Sequence, residues 1–183
     1  YASEATLAKA NETFTRDLSG MDLLDPSFEE DLNLKAHVIE PLQPTPVGPY
    51  RVIGFPANHA HGYGAFLYAI QENEQTVFYG TDTASLPDET WDAFHRLELV
   101  FDLVILDHTY GPEEPESDHL SAHAVATHAR RMRCEGLLAE TGRVFATHIA
   151  HEGNPPHDVL SAFASQQGYA IAYDGLVVNV REQ

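Results

Sequence analysis

An α/β or α+β fold, with a mixed β-sheet flanked by helices, is what the 183-residue sequence predicts, on three observations. Segments of alternating or continuous apolar residues interleave with segments of helical spacing, the pattern of strands and helices sharing one sheet. Residues 101–106, Phe-Asp-Leu-Val-Ile-Leu, form a nearly unbroken apolar run, the mark of a central strand covered on both faces. The polar turn at residues 71–75 lies between two strand-like segments at hairpin distance. A chain of this length is expected to form one domain over residues 1–183, burying roughly two thirds of the surface its unfolded form exposes.

Residues 3–18 carry helical spacing through Leu7, Phe14 and Leu18, and Asp25-Pro26-Ser27 breaks it. Residues 41–49 hold four prolines and a glycine and read as a stiff connector. Strands follow at 50–55, 65–70 and 76–79. Residues 86–99 return to helical spacing, with Pro87 in the first turn and Trp91, Phe94 and Leu97 on one side. After the strand at 101–106 come an acidic loop at 111–118 and a helix over 119–139. A strand at 144–147, a helix at 155–167 and a closing hairpin complete the chain, the hairpin pairing 170–173 with 176–180 through Asp174-Gly175.

Ten Lys and Arg stand against 28 Asp and Glu, a formal net charge of -18, with lysine only at positions 9 and 35. Such a surface repels phosphate backbones and anionic lipid, which argues against unaided nucleic-acid or membrane partners. No apolar run has the length of a bilayer span, and Cys134 alone makes no internal disulfide. The expected setting is cytoplasmic. No signal peptide is legible; the chain opens on Tyr1, and a segment upstream of it is expected.

The polar residues that carry chemistry fall where strands end. His59 follows the strand at 50–55, Asp82 the strand at 76–79, Asp107 and His108 the run at 101–106, and His148 and His151 the strand at 144–147. Sites assemble at such ends because loops converge there while the sheet fixes their geometry. A single histidine after a strand is more often a loop hydrogen-bonder, and a single aspartate a turn-former. Four strand ends carrying imidazole or carboxylate together point to a divalent metal such as zinc, manganese or iron.

The order Asn58-His59, Tyr79-Gly80-Thr81-Asp82-Thr83, Leu106-Asp107-His108, Ser117-Asp118-His119-Leu120-Ser121 and Thr147-His148-Ile149-Ala150-His151 resembles the C-terminal part of a metallo-β-lactamase-fold hydrolase, an αββα sandwich. Within that superfamily it is most similar to the phosphoribosyl cyclic phosphodiesterase branch. The resemblance implies two divalent metal ions, zinc or manganese, with His59 on one, His148 on the other and Asp82 bridging both. It makes His119 the residue that contacts the phosphate and protonates the leaving oxygen. His151 matches a position that holds a structural zinc with N-terminal cysteines, which this chain lacks. The superfamily's His-x-His-x-Asp-His is also absent: His59-Ala60-His61 is followed by Gly62-Tyr63. The expectation is therefore a C-terminal portion holding a partial site.

The activity so implied is hydrolysis of small, cyclic phosphodiesters, two cations generating hydroxide near neutral pH and offsetting phosphoryl charge. His61, Asp107, His108, His123 and His151 are read as residues that orient the ligands or line the substrate space, His123 lying four residues beyond His119 on the expected helix. The substrate partner is a small molecule, and a homo-oligomer is compatible. The alternatives are a tRNA 3′-processing nuclease, disfavoured without a basic arm, a thioester or lactone hydrolase on the same scaffold, and a non-catalytic binding or assembly module.

Overall fold

The computed structural model describes residues 1–17, 22, 24–60, 62–115 and 117–180. Seven strands form one sheet in sequence order: β1 (Pro44–Val47), β2 (Tyr50–Pro56), β3 (Phe66–Glu72), β4 (Gln75–Gly80), β5 (Phe101–Asp107), β6 (Leu138–Thr147) and β7 (Ala170–Ile171). The first four make an antiparallel meander, and β4 through β7 pair in parallel. The change follows from the connections. Short turns join antiparallel neighbours, whereas a parallel pair needs a crossover, supplied here by α3 (Asp88–Arg96), α4 (Ala122–Cys134) and α5 (His157–Gln166). Each parallel strand adds on the same side of its predecessor, so right-handed crossovers place all three helices on one face. Upstream lie α1 (Glu4–Asp17), a 3₁₀ turn at Pro26–Phe28 and α2 (Glu29–Leu32). Ser3 and Thr6 donate to the carbonyls of Gly64 and Tyr63, docking the start of α1 on the β2–β3 loop.

The helix-covered face is the core. Ile53, Ala69, Phe78, Val104 and Val144 are register neighbours across five strands, and they join Trp91 and Phe94 of α3, Val125 and Met132 of α4 and Leu160 of α5 in one buried cluster. Phe94 stands edge-on to Phe55, Phe78 and Phe101 at centroid separations of 5.0, 5.2 and 5.1 Å, the arrangement ring quadrupoles favour. The opposite face is apolar too, which accounts for the continuous run in β5. Tyr68, Tyr79, Ile105 and Phe145 form a row across it, and Tyr79 keeps 46% of its surface exposed.

Four expectations are corrected. Residues 41–49 are not only a connector: β1 forms within them, its prolines accommodated because β1 lies at the sheet edge. The helix expected over 119–139 is the shorter α4. Ser121 caps it, its Oγ accepting from the Ala124 amide, while 119–121 stay extended along Tyr110, whose N–H donates to Leu120 and whose carbonyl accepts from Ala122. Gly136, at φ +70°, ends it with the Leu137 N–H on the Met132 carbonyl. β6 accordingly starts six residues earlier than expected, at Leu138. The closing hairpin does not form. Asp174-Gly175 turns the chain, with Leu176 N–H on the Tyr173 carbonyl, but Leu176 and Val178 pass over the second sheet face, bordering a cavity of about 350 Å³ with Tyr79, Leu103, Ile105 and Phe145. Leu18 and His61 lie outside the described residues. Among the described residues no helix is long and apolar enough to cross a membrane.

A buried polar contact ties the layers behind the strand ends. His108, fully buried, shares a 3.0 Å hydrogen bond with the Tyr169 hydroxyl at the far end of α5, and burial holds its pKa below the ordinary histidine value. A depressed histidine costs stability as pH falls below about 6.5, because the unfolded chain then takes up a proton that the folded one refuses. Urea unfolding at pH 7.5 and 5.5 should show a larger loss for the native sequence than for His108→Gln; equal losses would remove His108 from the pH response. The partly covered apolar row leads to a second expectation: the 183-residue chain enhances the fluorescence of a hydrophobic dye, and Tyr79→Lys with Ile105→Lys lowers that signal.

Candidate metal centre

β2, β4, β5 and β6 run in the same direction, so their carboxyl ends share one edge of the sheet. Each end delivers a side chain. His59 sits in the loop after β2, Asp82 two residues beyond β4, Asp107 as the last residue of β5 and His148 directly after β6. His119 arrives just ahead of α4. Asp82 and His148 both have left-handed backbone, φ 54° and 61°. Asp and His adopt this conformation more often than other non-glycine residues.

Asp107 organises the group. Its carboxylate has no solvent exposure and accepts four hydrogen bonds. Oδ1 takes the Thr109 N–H and hydroxyl, both at 2.9 Å. Oδ2 takes the Asp82 N–H at 2.9 Å and His119 Nδ1 at 2.8 Å. His148 Nδ1 lies 2.8 Å from Thr109 Oγ1. Because that hydroxyl gives its proton to the carboxylate, it must accept from His148 Nδ1–H. His59 Nδ1 lies 3.2 Å from the Asp118 carbonyl, which can only accept. In the neutral state all three imidazoles thus carry their proton on Nδ1 and present a bare Nε2.

The rings are close: His119 stacks on His148 at 5.2 Å between centroids, and His59 lies 4.7 Å from His119. His148 Nε2 lies 3.2 Å from Asp82 Oδ1. One ligand atom each from Asp82, Asp107, His119 and His148 all fall within 4.8 Å of one another. A bare imidazole nitrogen facing a carboxylate oxygen is repulsive unless a positive charge stands between them or the ring is protonated. Two carboxylates with several bare imidazole nitrogens are the donor set of a divalent zinc, manganese or iron site. The residues therefore fit a cation, with Asp107 spent on orienting the others.

The acidic loop is pinned beside this group. Tyr110 Oη donates to Asp118 Oδ1 at 2.5 Å, and Ser117 Oγ donates to the same oxygen at 2.7 Å. These bonds hold the Asp118 carboxyl down at about 2. Gly111 passes so close to Gly153 that a β-carbon on it would meet the Gly153 carbonyl oxygen at 1.9 Å, which brings the loop against the segment after His148.

Of the residues named from sequence, the structure brings together His59, Asp82, Asp107, His119 and His148. His108 turns toward Tyr169, and no hydrogen bond joins it to the cluster. His123 does not share a helix face with His119, which precedes α4; its ring stands edge-on to Phe163 at 5.7 Å. His151 is exposed and borders a cavity of about 820 Å³ with His148, Asn154 and His157. His61 is outside the described residues. Sequence reasoning missed Thr109 and Tyr110. Neither stands in a motif, and the Asp118 contribution to His59 is a main-chain carbonyl, which leaves no residue-type signal.

The fold recurs in solved structures. The metallo-beta-lactamase fold protein YhfI from Bacillus subtilis matches at TM-score 0.58 and 19% identity, over 85% of this chain and 62% of that one. Zn(2+)-bound PqqB from Methylobacterium extorquens matches at TM-score 0.66 and 15% identity, over 98% of this chain and 64% of that one. A possible metal-dependent hydrolase from Veillonella parvula matches at TM-score 0.57 and 11% identity, over 88% and 69%. The chain thus spans about two thirds of the length of these structures, and identities this low establish the fold alone. No curated protein matches the sequence. The family profile described as the Beta-lactamase superfamily domain aligns with residues 5–149, from the start of α1 through the segment that carries His148, and the chain belongs to that family.

Proposed function

We propose that the protein of which this chain is part is a metal-dependent phosphodiesterase acting on small, cyclic phosphodiesters. One observation carries the reading: His148 Nε2, bare in the tautomer that Thr109 sets, lies 3.2 Å from Asp82 Oδ1, and Asp107 and His119 bring their ligand atoms into the same cluster. His59 and His148 would hold two divalent ions, zinc or manganese, with Asp82 shared between them. Bound there, such ions would supply a nucleophile at neutral pH and offset phosphoryl charge. Further ligands would have to come from a His-x-His-x-Asp-His segment, which residues 1–183 do not carry. The similarity to a zinc-bound structure supports the metal; the phosphodiester rests on the resemblance and on the His119–Asp107 pair.

That pair performs the proton work. His119 is largely enclosed, its side chain 14% exposed, and its Nδ1–H is committed to Asp107. With Nδ1–H committed to that carboxylate, Nε2 is the ring nitrogen left free to exchange a proton with the departing oxygen. Thr109 carries the same carboxylate's influence to His148. An anionic substrate suits a chain of net charge -18 only if cations dominate the local field. A cytoplasmic setting is part of the same proposal.

Turnover of bis(4-nitrophenyl) phosphate, a thioester and a lactone by the zinc- and manganese-loaded protein tests the reading. Phosphodiester cleavage that chelation abolishes is expected, and His119→Ala should lower kcat by about 10²–10⁴-fold with little change in KM. Cleavage of the thioester or lactone alone would assign the scaffold to another chemistry. Asp82→Asn, which keeps a residue tolerant of the left-handed backbone, should lower the metal-to-protein ratio read by elemental analysis; an unchanged ratio would take Asp82 out of the centre.

A further inference from the structure

We propose that Tyr110 is a positioning residue for the metal centre, acting through Asp118 on His59 and His119 at once. The proposal rests on the metal reading above and adds a part that touches neither cation nor substrate. The Tyr110 backbone is pinned on both sides, its N–H to Leu120 and its carbonyl to Ala122, in a bridge to Ser121 that fixes where α4 begins. From this anchored base the phenol reaches back over the loop to the Asp118 carboxylate at 2.5 Å. Ser117 shares that carboxylate.

Asp118 is exposed, at the end of an acidic loop with little apolar burial of its own. The Tyr110 phenol and the Ser117 hydroxyl together hold its carboxylate, and of the two only Tyr110 lies outside the loop, on a backbone tied to Leu120 and Ala122. Two consequences follow from fixing Asp118. Its carbonyl faces His59 Nδ1 at 3.2 Å and so selects the ring form whose Nε2 is bare. The next residue is His119, whose ring must reach both Asp107 and the site, and which the Tyr110 ring meets edge-on at 6.1 Å. His59 and His119 are therefore aimed from a single dipeptide, and Tyr110 sets that dipeptide. The bland alternative is that the phenol–carboxylate bond merely staples a loop, in which case losing it would change stability and leave the imidazoles as they are.

The experiment compares the native protein with Tyr110→Phe, Asp118→Ala and the double variant. Imidazole ¹⁵N shifts of the metal-free protein at pH 8 read the tautomer of His59 directly, and zinc competition against a chromophoric chelator reads affinity. In the native protein His59 should be the Nδ1–H form. Tyr110→Phe should admit the Nε2–H form and weaken zinc binding about tenfold, the usual scale for losing an outer partner of a ligand, with the metal-free Tm moving by no more than ~2 °C. The double variant should bind zinc no more weakly than Asp118→Ala, since both substitutions break one chain of contacts. An unshifted His59 tautomer, or losses that add, would overturn the proposal. Should Tyr110→Phe unfold, Asp118→Asn, which keeps the side-chain shape but weakens the acceptor, gives the same tautomer reading. A native protein that binds no zinc would refute the metal reading alone, because the tautomer is measured without metal.

Discussion

A carboxylate buried without a counter-ion in contact is expensive unless donors replace its water. Asp107 meets that condition with two main-chain amides, a hydroxyl and an imidazole, and the rest of the edge depends on the solution. The Asp82 amide is one of those donors, so the left-handed turn after β4 is held by the same charge it helps to solvate. The His119 ring is another, and the Thr109 hydroxyl passes the influence on to His148. Removing the charge would free three separate loops, whereas removing any single donor would leave a buried oxygen short of a partner. The geometry of the centre is thus a by-product of satisfying one group that the sheet forces indoors.

The same logic explains why an acidic protein can host this cluster. Asp82 lies outward, its side chain 56% exposed, and Asp107 inward, yet both lie within reach of His148. Packing two carboxylates and two imidazoles with ligand atoms within 4.8 Å of one another concentrates electron pairs in a small volume. Arg131 and Arg133, toward the opposite end of α4, are engaged with Glu135, Asp88 and the Gly168 carbonyl. The deficit of positive charge is local and structural, distinct from the overall -18.

Much of this was legible in the amino-acid order. Strand ends were visible because an apolar run stops at a polar residue, and that rule located His59, Asp82, Asp107 and His148. The central strand announced itself through residues covered on both faces. The failures have physical causes. Proline in 41–49 argued against a strand, but an edge strand needs only one side of its hydrogen bonds. The helical pattern around His119 continued past Ser121 in both directions, and only the bridge with Tyr110 decides where the helix begins. The Asp-Gly turn at 174–175 formed as turn chemistry dictates, but the segment after it found a better surface on the open sheet face than beside β7. His123 was misplaced for the same reason as the helix start. Thr109 and Tyr110 act through contacts that exist only once distant segments meet, and no residue-type pattern records those.

The division of the sheet into an antiparallel meander and a parallel half carries a kinetic corollary. Hairpin neighbours β1 to β4 close over a handful of residues, whereas β5, β6 and β7 each wait on a helix-containing excursion, and loop-closure entropy makes such pairings late. His59 belongs to the early half. Asp107, His119 and His148 belong to the late one, and Asp82 sits at the seam, its amide acquiring a partner only when β5 docks. The chain therefore assembles its donor set in the final steps of folding. A partly folded chain would then lack the arrangement of side chains that the completed sheet brings together.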